Sequence, residues 1–308
     1  MSQSQLGQIE KDLLGIKDYP PGISHLYEGW RFFRRYPLIP ITVLSVLVFC
    51  ALAANILASH DARSGGIRDR HIPPAWTEEG TTNHLLGTDH SGRDVFSRML
   101  FGARISLVVA AIALLSGGTI GTAMGVFSGY YGGIVDEIIT RAVDIWQALP
   151  FLMVALVCVL LFEQSLTLLL FLMVALAWVP FVRVIRSVTL VIKNEPYVDL
   201  ARVAGASTVR AFIRHILPGV VNTAVVISTL SVGSLIMAEA ALSFLGAGVP
   251  SPTPTWGSMV ADGRSYLATA WWPTVFPGLA IFLVVMSLNF TGDWLRDRLD
   301  PRLRQLSD

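Results

Sequence analysis

Runs of about 20 predominantly apolar residues, the length an α-helix needs to cross the hydrocarbon of a bilayer, recur six times along this chain. They cover residues 38–58, 105–127, 142–162, 166–182, 216–245 and 271–289. Pro150 interrupts the third run, Pro180 lies near the end of the fourth, Pro218 near the start of the fifth, and Pro273 and Pro277 near the start of the sixth. Within lipid every backbone polar group must be satisfied internally, so helices are the economical solution, and prolines survive where neighbouring helices re-satisfy the freed carbonyls. The expectation is an all-α membrane protein with about six transmembrane helices. The transmembrane domain spans 37–300, between a polar N-terminal segment, 1–36, and a short tail, 301–308.

Composition agrees with lipid as the solvent. Of the 308 residues, 53% are hydrophobic and 15% charged, with a mean hydropathy of +0.58; soluble domains carry about 25% charged residues. A formal net charge of +1 gives no field suited to nucleic acid. Cys50 and Cys158 both lie inside apolar runs and read as small packing residues, not as a disulfide. No short apolar core followed by a small-residue cleavage site appears in the polar first segment, so no secretory signal is read there.

Lysine and arginine favour cytoplasmic loops. With the N-terminus inside, 16 of the 23 Lys and Arg residues fall on the cytoplasmic side, which favours both termini cytoplasmic. This order leaves an outer loop at 59–104, a cytoplasmic loop at 193–215 and a second outer loop at 246–270. Trp256, Trp271 and Trp272 suit the outer interface, where aromatic rings sit at headgroup level.

Two patterns of small residues stand out. Gly117, Gly121, Gly125, Gly129 and Gly133 repeat every four residues, which makes a groove that lets another backbone approach closely. Packing within the chain is the plainer use of such a groove, and contact with a second subunit the sharper one. In EPYVDLARVAGASTVRAFIRHILP, 195–218, Ala201, Ala204, Gly205 and Thr208 fall at helical spacings and make a flat small face, with Arg202, Arg210 and Arg214 on other faces. Docking into a partner's cleft and lying on the membrane surface suit that pattern equally.

The same segment resembles the coupling loop of ABC-type import permeases, whose pattern is Glu-Ala-Ala, three residues, Gly, nine residues, Ile, one residue, Leu-Pro. Asp199-Leu200-Ala201 stands for Glu-Ala-Ala, Gly205 falls in register, and Leu217-Pro218 closes the motif. Asp199 keeps the charge of Glu, and His215 takes the Ile position. Four further stretches, 86–107, 128–150, 238–267 and 276–304, resemble the C-type inner-membrane subunit of dipeptide and oligopeptide importers.

That resemblance implies the type I ABC importer permease fold in a bacterial or archaeal cytoplasmic membrane. It implies a second homologous permease, two ATPase subunits, an extracytoplasmic substrate-binding protein, and a peptide cargo. Nickel, glutathione or another small solute is the alternative cargo. Coupling to the ATPases would fall to Asp199, Leu200, Ala201, Gly205, Ala206, Ser207, Arg210, Leu217 and Pro218. No Gly-x4-Gly-Lys-Ser/Thr loop is present, so ATP and Mg belong to the partner chains and this chain needs no cofactor.

Charged groups at membrane depth are costly and usually face a cavity or a partner. Glu239, among Ala238, Ala240 and Ala241, is either a pathway-lining acid or a structural carboxylate satisfied by neighbouring groups. Asp144 and Glu163 lie nearer span ends and read as interfacial. His60, His71, His84 and His90 crowd the first outer loop, but their separations match no recognised ligand pattern, so they read as solvated and no metal is expected. Neither His-Glu-x-x-His nor Gly-x-Ser-x-Gly appears, which removes support for a membrane-embedded hydrolase with its own catalytic residues. An autonomous channel or secondary carrier is the more distant alternative.

Overall fold

The computed structural model describes residues 37–299; the segments 1–36 and 301–308 named above lie outside the described residues. The elements in chain order are α1 (Leu38–Leu52), α2 (Ala54–Leu57), α3 (Val95–Tyr131), α4 (Gly133–Ala148), α5 (Phe151–Phe162), α6 (Leu166–Lys193), α7 (Pro196–Val203), α8 (Thr208–Ala211), a π-turn (Phe212–Ile216), α9 (Leu217–Phe244), α10 (Trp256–Gly263) and α11 (Trp272–Leu299). There is no named strand among the described residues.

Four helical stretches are long and apolar enough to cross a membrane: Val95–Tyr131, Leu166–Lys193, Phe212–Phe244 and Trp272–Arg298. The expected third span is broken. α4 and α5 meet at 80° and make a fifth crossing only if taken together. The break falls where the sequence placed Pro150: Leu149 is held extended (ψ 128°) because a residue preceding proline is pushed out of the α region. The first expected span, 38–58, is a 15-residue helix followed after Ala53 by the four-residue α2. At 1.5 Å per residue such a helix covers about 22 Å, short of the roughly 30 Å hydrocarbon core.

The bundle is organised around α3 and α6, which run against each other along the glycine stripe. A methyl group placed on Gly117 would lie 2.5 Å from Ala177 Cβ, on Gly125 2.8 Å from the Val182 carbonyl oxygen, and on Gly129 2.8 Å from that of Arg186. Gly121 faces the Trp178 carbonyl in the same way. The repeat therefore serves packing within the chain. Gly133, the last in the sequence pattern, has open space at its Cβ. Around this seam Val109, Ala110 and Ala113 of α3, Leu169, Leu172 and Met173 of α6, and Leu235, Ile236 and Leu242 of α9 form the core. α9 packs in turn on α11, and α10 on both.

The first inter-span segment is ordered and packed onto α3 and α11. Asp89 holds its own turn, its carboxylate accepting from the Ser91 amide (2.8 Å), the Arg93 amide (3.0 Å) and Arg93 Nε (2.7 Å). Asp94 caps α3 by accepting from the Ser97 amide at 2.8 Å. Trp272 Nε1 donates to the Thr88 carbonyl and Trp256 Nε1 to that of Met99, each at 3.0 Å. Trp256 and Trp272 are buried within the protein, while Trp271 is exposed. An indole N–H inside a bundle needs an acceptor, and the carbonyls near the start of α3 supply one.

Candidate functional site: the coupling segment

α6 continues to Lys193, well past the apolar run that ends near residue 182, and carries the chain out of the bundle. Three polar contacts hold its far half. Arg183 Nη2 donates to Asp144 at 2.8 Å, Arg186 Nη2 donates to Asp136 at 2.6 Å, and Lys193 Nζ donates to the Tyr130 carbonyl at 2.7 Å. The last of these places a cation on the open carbonyls at the C-terminus of α3. The platform from which the next segment projects is thus tied to α3 and α4.

The segment itself is two short helices, not the single continuous helix that the small-residue spacing suggests. α7 ends at Val203, and Gly205 takes φ +87°, the left-handed conformation that closes a helix most cheaply when no Cβ is present. The Ala206 amide then bonds back to the Ala201 carbonyl at 3.0 Å, the six-to-one bond of a Schellman closure. Ser207 opens α8, its Oγ accepting from the Arg210 amide at 3.3 Å. After the π-turn, Leu217 and Pro218 begin α9, with proline in the first turn where its missing N–H costs nothing. Ala201 lies in α7, Ala204 and Gly205 form the turn after it, and Thr208 belongs to the next helix.

One face of this segment is anchored and the other is bare. Val198, Ala211 and Ile216 are fully buried against the bundle. Leu200 is 68% and Val203 85% exposed, Ala204, Gly205, Ser207 and Arg210 are exposed beside them, and a Cβ at Gly205 would meet nothing within 4 Å. Asp199 is exposed and Ala206 half-exposed on the same segment. Leu200 and Val203 are thus a large aliphatic pair beside a capped turn, left uncovered by the described residues.

At the other end of the bundle Glu239 is fully buried in α9. Its carboxylate accepts from Ser106 Oγ of α3 at 2.8 Å and from Ser243 Oγ at 2.7 Å. The serines, separated by more than a hundred residues in sequence, are the part of this arrangement that composition could not reveal. An apolar groove of about 750 Å³ opens between α3 and α9, lined among others by Phe127, Tyr130, Phe181 and Phe212. The loop histidines are not uniformly solvated. His71 and His90 are half-buried, each with an Nδ1 that has no hydrogen-bond partner, and the Tyr266 ring lies 4.7 Å from His71, tilted by 50°, and stacks on His90 at 5.7 Å.

Residues 121–305 match the family described as the binding-protein-dependent transport system inner membrane component. The chain belongs to that family. The dipeptide transport system permease protein DppC of Escherichia coli (strain K12) is 40% identical over 289 residues, covering 93% of this chain and 96% of that protein. DppC of Haemophilus influenzae is 36% identical over 282 residues, covering 91% and 96%. The glutathione transport system permease protein GsiD of Pectobacterium atrosepticum is 39% identical over 279 residues, covering 90% and 91%. In structure, a chain of the MetNI methionine ABC transporter in an inward-facing conformation superposes with a TM-score of 0.53 at 16% identity, covering 66% of this chain and 96% of that one. The expected type I ABC importer permease fold is therefore the observed one. The permease is a multi-pass inner-membrane transporter subunit and not a catalytic one, and it works with ATPase and substrate-binding partners.

Proposed function

We propose that this permease forms one half of the translocation pathway of an ATP-driven importer for di- and oligopeptides, the other half being a second homologous permease. Two ATPase subunits bind ATP and Mg, and an extracytoplasmic binding protein delivers the peptide; this chain holds no cofactor of its own. Both termini lie in the cytoplasm, following the 16 of 23 basic residues assigned to that side. The alternative of a glutathione cargo is favoured by the 39% identity to a glutathione permease, and glutathione is itself a peptide.

The observation that carries the proposal is the bare face of α7 and its Gly205 turn, with Leu200 and Val203 exposed on an anchored segment. On this reading Asp199, Leu200, Ala201, Gly205, Ala206, Ser207 and Arg210 meet the ATPase, while Leu217 and Pro218 transmit its movement into α9. Transmission requires that the ATPase grip the segment differently in its open and closed states, since a contact of equal free energy in both would shift nothing. Glu239, held by two serine hydroxyls from α3 and α9, serves in this scheme as a strut between the helices that must move together, not as a lining group of the pathway.

Val203→Glu tests the docking surface with little cost to folding, because Val203 is helical and 85% exposed. The variant is expected to insert and fold normally and to lose both peptide uptake and peptide-stimulated ATP hydrolysis in the reconstituted importer. Gly205→Glu should do the same, with an added conformational cost of about 1–3 kcal/mol for a non-glycine residue at positive φ. Uptake at the wild-type rate by Val203→Glu would refute the assignment.

A further inference from the structure

His60, His84 and Asp94 lie 24 and 10 residues apart in sequence, a spacing without a recognised pattern, yet the fold gathers them. Each offers one ligand atom, and the three atoms lie within 4.8 Å of one another. The His84 and Asp94 side chains meet at 2.9 Å, Nδ1 to Oδ1, and the His60 and His84 rings lie 4.6 Å apart, tilted by 32°. His60 is placed by its own backbone, whose amide donates to Ser97 Oγ in the first turn of α3 at 3.2 Å. Asp94 is placed by its capping bond to the Ser97 amide. Two of the three groups are thus tied to the same turn.

The charge balance points the same way. Asp94 is buried, and among the described residues no arginine or lysine pairs with it; its one ion-pair partner there is His84, a cation only when protonated. The nearby arginines, Arg93 and Arg98, are committed to Asp89 and Asp262. A buried carboxylate without a fixed counter-cation is costly, and two imidazoles beside it supply the ligand type preferred by divalent transition ions. His60 is exposed, which gives an ion entry from solvent. In a tetrahedral site with metal–ligand bonds of about 2.0–2.1 Å, ligand atoms stand roughly 3.3 Å apart, so small side-chain rotations suffice to close the site.

We propose that His60, His84 and Asp94 bind one divalent transition-metal ion of the Zn²⁺ class, with water completing the coordination. The ion clamps the chain just after α2 to the N-terminus of α3. It is a structural ion and not cargo: the cluster is built from the first inter-span segment and the capping residue of α3. It does not depend on the peptide-import reading.

The test uses the whole importer, purified, stripped with EDTA and titrated with Zn²⁺ alone by calorimetry, with metal content measured after dialysis. The wild-type complex is expected to bind one more Zn²⁺ per copy of this permease than the His60→Ala complex, or to bind it at least tenfold more tightly. His60→Ala is the primary variant because its side chain is exposed and carries no capping role. Asp94→Asn keeps an N-cap residue while removing the anionic ligand, and should weaken the same site by a similar factor. Co²⁺ in place of Zn²⁺ should give a visible absorption band that His60→Ala abolishes. Identical Zn²⁺ stoichiometry and affinity in the wild type and His60→Ala, or no His60-dependent Co²⁺ band, overturns the site.

Discussion

Gly125→Ala is the smallest perturbation that tests the α3–α6 seam. The added methyl would lie 2.8 Å from the Val182 carbonyl oxygen, 2.9 Å from Ile185 Cβ and 3.1 Å from the Arg186 amide nitrogen. Favourable contacts between such atoms begin near 3.5 Å, so the two helices must part locally by about 0.6 Å. A gap of that size forfeits a quarter to a half of the attraction between facing atoms, and overpacking of this kind typically costs about 1–3 kcal/mol. Alanine recovers up to about 1 kcal/mol through its higher helix propensity. The net expectation is a loss of up to about 2 kcal/mol. For a domain of this size that corresponds to a fall of up to roughly 8 °C in the melting temperature, and to a clear deficit against an alanine that gains propensity without overpacking. The assay is thermal unfolding of the purified permease in detergent. Gly278→Ala on α11 is the control, because its Cβ would meet nothing within 4 Å and its φ is ordinary, so its melting temperature should hold or rise slightly. A Gly125→Ala protein as stable as the Gly278→Ala protein would refute the account of the stripe as a close-packing seam.

Glu239→Leu removes the shared acceptor of Ser106 and Ser243 and leaves two buried hydroxyls unpaired, at about 1–3 kcal/mol each, whereas Glu239→Gln keeps an acceptor and should cost less; equal melting temperatures for the two variants would remove the strut. His71 has its pKa held below the usual histidine value, chiefly by burial and secondly by the neighbouring His90. The folded state therefore disfavours protonated His71. Its contribution to stability is complete above about pH 6.5 and is lost as the pH falls below that value. Melting between pH 7.5 and 5 should show this loss, and His71→Asn, which tolerates the observed φ of +54°, should flatten it. An unchanged pH profile in that variant counts against the assignment.

Much of the architecture was legible along the chain. Runs of apolar residues report how much of a helix lies in lipid, because the cost of a polar group in hydrocarbon is paid locally, residue by residue. The four long spans, the weakness at Pro150 and the close-packing stripe all follow from local composition and period. The segment 195–218 was legible by its resemblance to a coupling loop, and Gly205 marks its turn by a conformational need that a single residue satisfies. Less legible were the ends of helices. α6 runs on to Lys193 because Arg183, Arg186 and Lys193 find acceptors on α3 and α4, and hydropathy alone has no term for such partners.

The sequence by itself determined that this chain lives in a membrane as helices and that residues 199–218 resemble the coupling loop of importer permeases, because those properties are carried by neighbouring residues. Tertiary structure alone decided what each polar group does. Glu239 is buried with its carboxylate satisfied because two serines reach it, Trp256 and Trp272 are buried because carbonyls near the start of α3 accept their N–H groups, and Leu200 and Val203 stand bare because Val198 turns inward beside them. His60, His84 and Asp94 meet for the same reason. A polar side chain acts through partners distant in sequence, and only the folded chain brings those partners within reach.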